Sequence, residues 1–324
     1  MPTAEQLKAL IKAKYEPTND KFTTITLQIA AHEAKLGHTN LADDLKKIID
    51  KSKQFKPRLN TINNDLQGFL IEVQPNDKLS DLVLSNEIIE RIKRIEKEFI
   101  QKDKLRRHGM KNRRKILFSG PPGTGKTMTA YVIAHELCLP LNIILVDKIV
   151  TKFMGETSAK LRQVFDFIND NQGVYLFDEF DAIGTERAKD NDVGEMRRVL
   201  NSFLQFIEKD DSNSIIIAAT NNLNLLDQAL FRRFDDVLHY QLPGDSEKTK
   251  LIENKLGSYK GNYSIAEIVG AIGNLSHSEI TQACNDSIKE TILSDKKIVE
   301  RDVILKMLEE RKSVYVKNEV TNGK

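Results

Sequence analysis

The chain has 324 residues, 40% of them hydrophobic and 30% charged, with 16 Gly and 8 Pro. That composition supports a sizeable core and excludes collagen-like, low-complexity and wholly disordered chains. Forty-nine basic against forty-seven acidic residues leave a formal charge of +2, so no bulk charge points to nucleic acid or to a membrane surface.

From the N-terminus, MPTAEQLKALIKAKYE alternates polar and apolar residues too quickly for the core of a signal peptide. Leu7, Leu10 and Ile11 lie at helical spacing, as do Phe22, Ile25 and Ile29, and then Leu41, Leu45, Ile48 and Ile49. This predicts a small helical bundle over 1–54, with Asn40 placed to cap the third helix. Pro57, Gly68 and Pro75 mark a linker over 55–84, in which Phe69 to Val73 suit one short helix or strand. A charged helix follows from Ser85 to about Asp103.

Strand-like runs then alternate with amphipathic helices. Lys115–Phe118, Ile143–Val146, Val174–Phe177 and Ser214–Ala219 read as strands, with helices over 126–138, 157–169 and 192–208. The alternation predicts an α/β domain over 85–243, a parallel sheet with helices on both faces. After Pro243-Gly244 the strands stop. Helical patterns over 245–256, 264–272, 276–293 and 300–311 predict a helical domain over 244–312, with residues 313–324 as a frayed tail. No run approaches ~18–20 consecutive apolar residues, so no membrane span is expected. Cys138 and Cys284 form no C-x-x-C pair, which suits a reducing cytoplasm.

Gly120-Pro121-Pro122-Gly123-Thr124-Gly125-Lys126-Thr127 fits G-x-x-x-x-G-K-[ST], after a predicted strand and at the start of a predicted helix. Glycines let main-chain N–H groups wrap phosphate oxygens, and the helix N-terminus adds positive potential. The pattern points to a nucleotide phosphate chain with Mg²⁺. Lys126 would reach the β- and γ-phosphates, Thr127 would hold the metal, and Met128 follows in the same binding segment. Val174 to Phe177 ends in Asp178-Glu179, at the carboxyl edge where open α/β sheets bind ligands. Asp178 would hold Mg²⁺ and Glu179 would act as general base on the attacking water.

With these motifs in order, the sequence from Leu79 to Arg311 resembles the AAA ATPases, in particular their unfolding and remodelling branch with a single ATPase domain. The resemblance implies a P-loop sheet followed by a helical lid. Ile217-Ala218-Ala219-Thr220-Asn221 resembles the sensor-1 strand, with Asn221 orienting the water or contacting the γ-phosphate. Leu226 to Asp235 resembles the second region of homology, which makes Arg232 and Arg233 arginine fingers for a neighbouring subunit's nucleotide and implies a hexamer. Asn274-Leu275-Ser276-His277-Ser278-Glu279-Ile280 resembles the lid's Gly-x-Ser-Gly-Ala-Asp turn, but His277 and Ser278 replace its small pair and Asn274 its first glycine. No sensor-2 arginine stands there. Adenine contacts would fall near Asp81, Leu82 and Val83.

Thr151-Lys152-Phe153-Met154-Gly155-Glu156 resembles the pore loop of AAA unfoldases, in which Lys152, Phe153, Met154 and Gly155 would grip an extended polypeptide. This implies ATP-driven unfolding, threading or remodelling of protein substrates, with the N-terminal bundle recruiting substrate, an adaptor or a separate effector. The alternative is a regulatory ATPase that controls a separately encoded protease or nuclease by nucleotide-dependent docking. His32 and His38 stand six apart, too far round a helix to share a zinc-binding face. Between Arg91 and Lys115 twelve Lys or Arg stand against three acids, a local charge of +9. That run reads as a solvated helix face or a surface meeting acidic groups, with a nucleic-acid motor as the third function.

Overall fold

The computed structural model describes residues 68–149, 154–180, 193–222 and 231–321, together with Thr26, Ile29, Ala30 and His32. The chain divides into two compact units, Met1–Thr61 and Ile62–Lys324. In the first, Thr26, Ile29, Ala30 and His32 are helical; the first three are buried and His32 is exposed. The rest of the predicted bundle, His38 included, lies outside the described residues.

The second unit is built on a six-stranded sheet. In chain order its strands are β1 (Leu70–Val73), β2 (Lys115–Ser119), β3 (Leu141–Ile144), β4 (Val174–Phe177), β5 (Ile215–Thr220) and β6 (Asp236–His239). They lie in the order β1-β3-β4-β5-β2-β6. β1 runs antiparallel to β3, and every other pairing is parallel. All residues of β2, β4 and β5 are buried, as expected where both faces of a parallel sheet are covered and strands read as continuous apolar runs.

Alternate residues sort to the two faces. Leu117, Ile144, Tyr175, Phe177, Ile216 and Ala218 meet α5 (Met154–Asp170) and α6 (Val193–Lys209) through Leu161, Val164, Phe165, Phe203 and Ile207. Ile116, Phe118, Leu141, Leu176, Ile217 and Ala219 meet α1 (Asn86–Ile100) and α3 (Lys126–Glu136). α1 starts where the Ser85 side chain accepts the Ile88 N–H at 3.4 Å, and it buries Ile88, Ile92, Ile95 and Phe99, one helical stripe. Of the short helices, α4 (Val146–Ile149) buries Val146 and Ile149 on the α5–α6 side, and α2 (Lys102–Arg107) follows α1 with no buried residue.

The structure differs from the sequence reading in four places. β3 ends at Ile144, not Val146, because the Leu145 N–H turns to the Phe69 carbonyl at 2.9 Å and Val146 opens α4. β6 does not appear among the expected strands; it is short, begins on an acid and lies at the sheet edge. α5 begins at Met154, so Met154 and Gly155 form its first turn rather than loop. Met and Glu favour helix, and first-turn N–H groups lack intrahelical partners in any case. The last helix runs to Thr321, beyond the expected stop at 312, since no Gly or Pro interrupts it before Gly323.

The C-terminal part holds α7 (Asp245–Leu256), α8 (Ile265–Ile272), α9 (His277–Leu293) and α10 (Arg301–Thr321). Leu251, Ile252, Ile268, Ile272, Ile280, Cys284 and Ile304 form its own core, and Val83 from the segment before α1 packs against it. Burial pushes the Cys284 thiol up to about 12, so this cysteine stays protonated and inert.

Glu96 on α1 is half-buried, with Oε1 lacking a hydrogen-bond partner among the described residues. Burial and the neighbouring Glu136 carboxylate raise its pKa to about 7, against an ordinary 4.5. Such a carboxyl favours the fold while protonated, and that contribution is lost as pH rises from about 4.5 through about 7. Glu96→Gln is therefore expected to stabilise the protein at pH 8 by about 1 kcal/mol, after allowance for solvent screening, and to change little at pH 4.5. Denaturant unfolding at both pH values checks this.

Candidate active site

β2 ends in the glycine-rich loop, and α3 begins at its lysine. Gly120, Gly123 and Gly125 all have positive φ, at 144°, 72° and 97°. A Cβ at Gly120 would collide with the Tyr240 carbonyl, and one at Gly123 with the Ser276 and Ser278 hydroxyls. Glycine is required at both positions by conformation and by space. Thr124 Oγ1 donates to the Pro121 carbonyl at 2.8 Å, and Thr129 Oγ1 to the Gly125 carbonyl at 2.9 Å, which fix the loop and the first turn of α3.

Lys126 is almost fully buried, and its ammonium donates to the Gly120 carbonyl at 2.7 Å, the Pro121 carbonyl at 2.8 Å and Asn221 Oδ1 at 2.9 Å. Thr127 Oγ1 donates to Asp178 Oδ2 at 2.8 Å. The fold thus gathers the ends of β2, β4 and β5 with the start of α3, bringing Lys126, Thr127, Asp178 and Asn221 together. Pro121 and Pro122 are exposed on the loop, and Met128 packs against the core on the α1 side of the sheet.

Glu179 has φ 49°, a left-handed conformation rare outside glycine. Its N–H donates to Asp178 Oδ1 at 2.9 Å, and the next N–H, of Phe180, donates to the Ala219 carbonyl at 2.8 Å. Phe180 is buried against Phe203, ring centroids 4.4 Å apart. Anchors on both sides hold the main chain in this conformation and leave the Glu179 side chain exposed at the sheet's carboxyl edge.

The lid turn sits on the phosphate loop. The Ser278 N–H donates to the Gly123 carbonyl at 3.0 Å. Ser276 caps α9, its hydroxyl accepting the Glu279 N–H at 3.4 Å while Glu279 Oε2 accepts the Ser276 N–H at 2.7 Å. His277 is buried with neither ring nitrogen hydrogen-bonded among the described residues, and burial lowers its pKa against the opposing pull of Glu247. The sequence reading located this turn by resemblance but gave no sign that its serines touch Gly123.

Arg232 and Arg233 lie elsewhere. β6 runs parallel to β2, with Asp236 beside Ile116 and His239 beside Ser119. The turn before β6 therefore sits at the amino end of β2, whereas the phosphate loop leaves its carboxyl end. β2 has five residues, roughly 16 Å at about 3.3 Å each. Arg232 is exposed, and Arg233 Nε is 3.3 Å from Glu208 Oε2 at the end of α6. Lys152, Phe153 and Leu226 to Leu230 lie outside the described residues, as does the Met154 side chain.

A glycine-wrapped loop opening a helix, a buried lysine, and a Thr–Asp pair at the carboxyl edge of a parallel sheet define a nucleoside-triphosphate site of the P-loop class. Comparison with known proteins agrees. The family described as "ATPase family associated with various cellular activities (AAA)" matches residues 116–242. An uncharacterized AAA family ATPase, y4kL, of Sinorhizobium fredii is 34% identical over 310 residues, covering 93% of each chain. A proteasome-activating nucleotidase of Methanoregula boonei is 28% identical over 60% of this chain and 47% of its own. The ATP-dependent zinc metalloprotease FtsH of Mycoplasmopsis synoviae is 29% identical over 70% of this chain and 36% of its own. The chain belongs to the AAA family, and it is an ATPase. Among the described residues no helix is long and apolar enough to cross a membrane.

Proposed function

We propose that the protein works as a ring, a hexamer by family resemblance, which hydrolyses ATP to unfold, thread or remodel protein substrates. The observation that carries this reading is the separation of the arginine turn from the phosphate loop along β2. An arginine side chain cannot bridge that length to its own site, so Arg232 and Arg233 serve a nucleotide only if a second subunit brings one to them. Similarity to a proteasome-activating nucleotidase and to FtsH supports a protein substrate.

In each site the glycine loop and Lys126 bind the triphosphate. Thr127 and Asp178 are hard oxygen donors 2.8 Å apart, a pair suited to Mg²⁺. Thr127 and Asp178 would hold that ion, which would supply positive charge against the triphosphate. Glu179 takes a proton from the attacking water, and Asn221 orients it. The segment 85–243, joined by β1 from the segment before it, is the ATPase core, 244–312 the lid and 1–54 the recruitment module, where an adaptor or a separate effector would dock.

The pore residues Lys152, Phe153, Met154 and Gly155 grip the substrate in this reading. ATPase activity should rise with an unfolded protein. Phe153→Ala should abolish that stimulation and the unfolding of a tagged substrate, while basal turnover stays within about twofold. Equal loss of both would mark Phe153 as structural, and stimulation by DNA alone would overturn the protein-remodelling reading.

A further inference from the structure

The basic run between Arg91 and Lys115 has no place in the nucleotide site, yet much of it is spoken for. Arg91 donates to the Asp236 carboxylate and, through the same nitrogen, to the Val237 carbonyl at 2.8 Å. Arg113 pairs with Glu98 at 2.5 Å and stands 4.0 Å from Asp236. Asp235 Oδ2 accepts the N–H groups of Arg114 and Lys115, each at 2.9 Å, and the Asp235 N–H returns to the Lys115 carbonyl at 2.7 Å. The Arg114 guanidinium turns inward to the buried Asp210.

These bonds bracket one short stretch of chain. Phe231 and Phe234 pack into the core. Arg233 is tied to Glu208, Asp235 to the start of β2, and Asp236 to Arg91 and Arg113. Arg232 alone in this stretch is exposed with no ion pair or hydrogen bond among the described residues. Every neighbour is fastened and one guanidinium is left to point outward. The Arg91–Asp236 pair keeps only 26% and 15% of its side-chain surface exposed, so breaking it strands a partly desolvated charge and moves the turn, unlike loss of a solvated surface pair.

We propose that the basic run is a clamp, and that Arg91, Arg113, Asp235 and Asp236 are positioning residues that present Arg232 to the neighbouring subunit's nucleotide. This rests on the reading that Arg232 acts across subunits. Arg233, 3.3 Å from Glu208, stands beside Arg232 in the same turn. Transition-state charge stabilisation is steep in distance: a 1 Å displacement costs on the order of 10²-fold in rate.

The test compares Arg232→Ala, Asp236→Asn and the double variant, each alone and mixed with excess Glu179→Gln protein, which lacks its own base but keeps its arginine turn. Asp236→Asn should lower kcat on the order of 10- to 100-fold with KM for ATP within about twofold. Mixing should restore turnover to Asp236→Asn as fully as to Arg232→Ala, because an intact turn then arrives from next door. The double variant should be no slower than Arg232→Ala. Rescue of Arg232→Ala without rescue of Asp236→Asn, or losses that multiply in the double variant, would overturn the clamp alone. Failure to rescue Arg232→Ala would overturn the action across subunits. Should Asp236→Asn not fold, Arg91→Gln carries the same comparison, with Arg91→Lys expected to lose less.

Discussion

Glu179→Gln is expected to bind ATP as tightly as the unaltered protein and to turn it over about 10³-fold more slowly, the range of a lost general base. The backbone explains why binding survives. Residue 179 is held at φ 49° by the Asp178 carboxylate on one side and by Phe180, hydrogen-bonded to Ala219 and packed on Phe203, on the other. Glutamine has the same shape and carries the same N–H, so nothing in these anchors changes. Only the ability to take a proton is removed. Phosphate release under saturating ATP, beside equilibrium binding of ATP, separates the two effects. A fall in kcat below tenfold would remove Glu179 from the base role. Because it retains nucleotide, this variant is also the one with which to capture bound substrate.

Lys126→Ala is expected to weaken ATP binding by about 100-fold or more. The ammonium is buried and already aimed across the loop, between two carbonyls and Asn221. Exchanging those partners for phosphate oxygens gives charge-assisted hydrogen bonds of about 1.5–3 kcal/mol each, and about 1.4 kcal/mol is tenfold in affinity. ADP, which lacks the γ-phosphate, should lose less than ATP. Calorimetric titration with both nucleotides checks this, and an equal loss for the two would place the lysine at the β-phosphate alone. Truncation also takes the ammonium from the Gly120 carbonyl, while Thr124 Oγ1 still serves Pro121, so a modest fall in thermal stability should accompany the binding defect.

Features written in local spacing were legible in the sequence. The phosphate loop was complete because glycine spacing, the following Lys-Thr and the flanking strand and helix are contiguous. The buried strands β2, β4 and β5 announce themselves as unbroken apolar runs. β6 did not, since Asp236-Val237-Leu238-His239 has neither length nor alternation and becomes a strand only by lying beside β2. The basic run was legible as a surface meeting acidic groups, but which groups was not. Its charge is obvious, but several of its acidic partners lie about a hundred or more positions away, Asp211 for Lys111 and Asp236 for Arg91. Sequence showed an unbalanced surface where the fold holds a network of pairs. The contact of Ser278 with Gly123 was likewise hidden, because it joins two segments that meet only in three dimensions.

That contact turns the C-terminal helices into a pointer. α9 is 17 residues long, about 25 Å at 1.5 Å per residue, and its first turn rests on the very loop that wraps the phosphates. A change of about 5° in how the turn seats on Gly123 would displace the far end of α9 by about 2 Å. At that far end stand the exposed apolar side chains of Ile292 and Leu293, with Ile298 just beyond. A reseating of that size at the phosphate loop would reach Ile292 and Leu293 as a displacement of about 2 Å, several times larger than the movement at Gly123 itself.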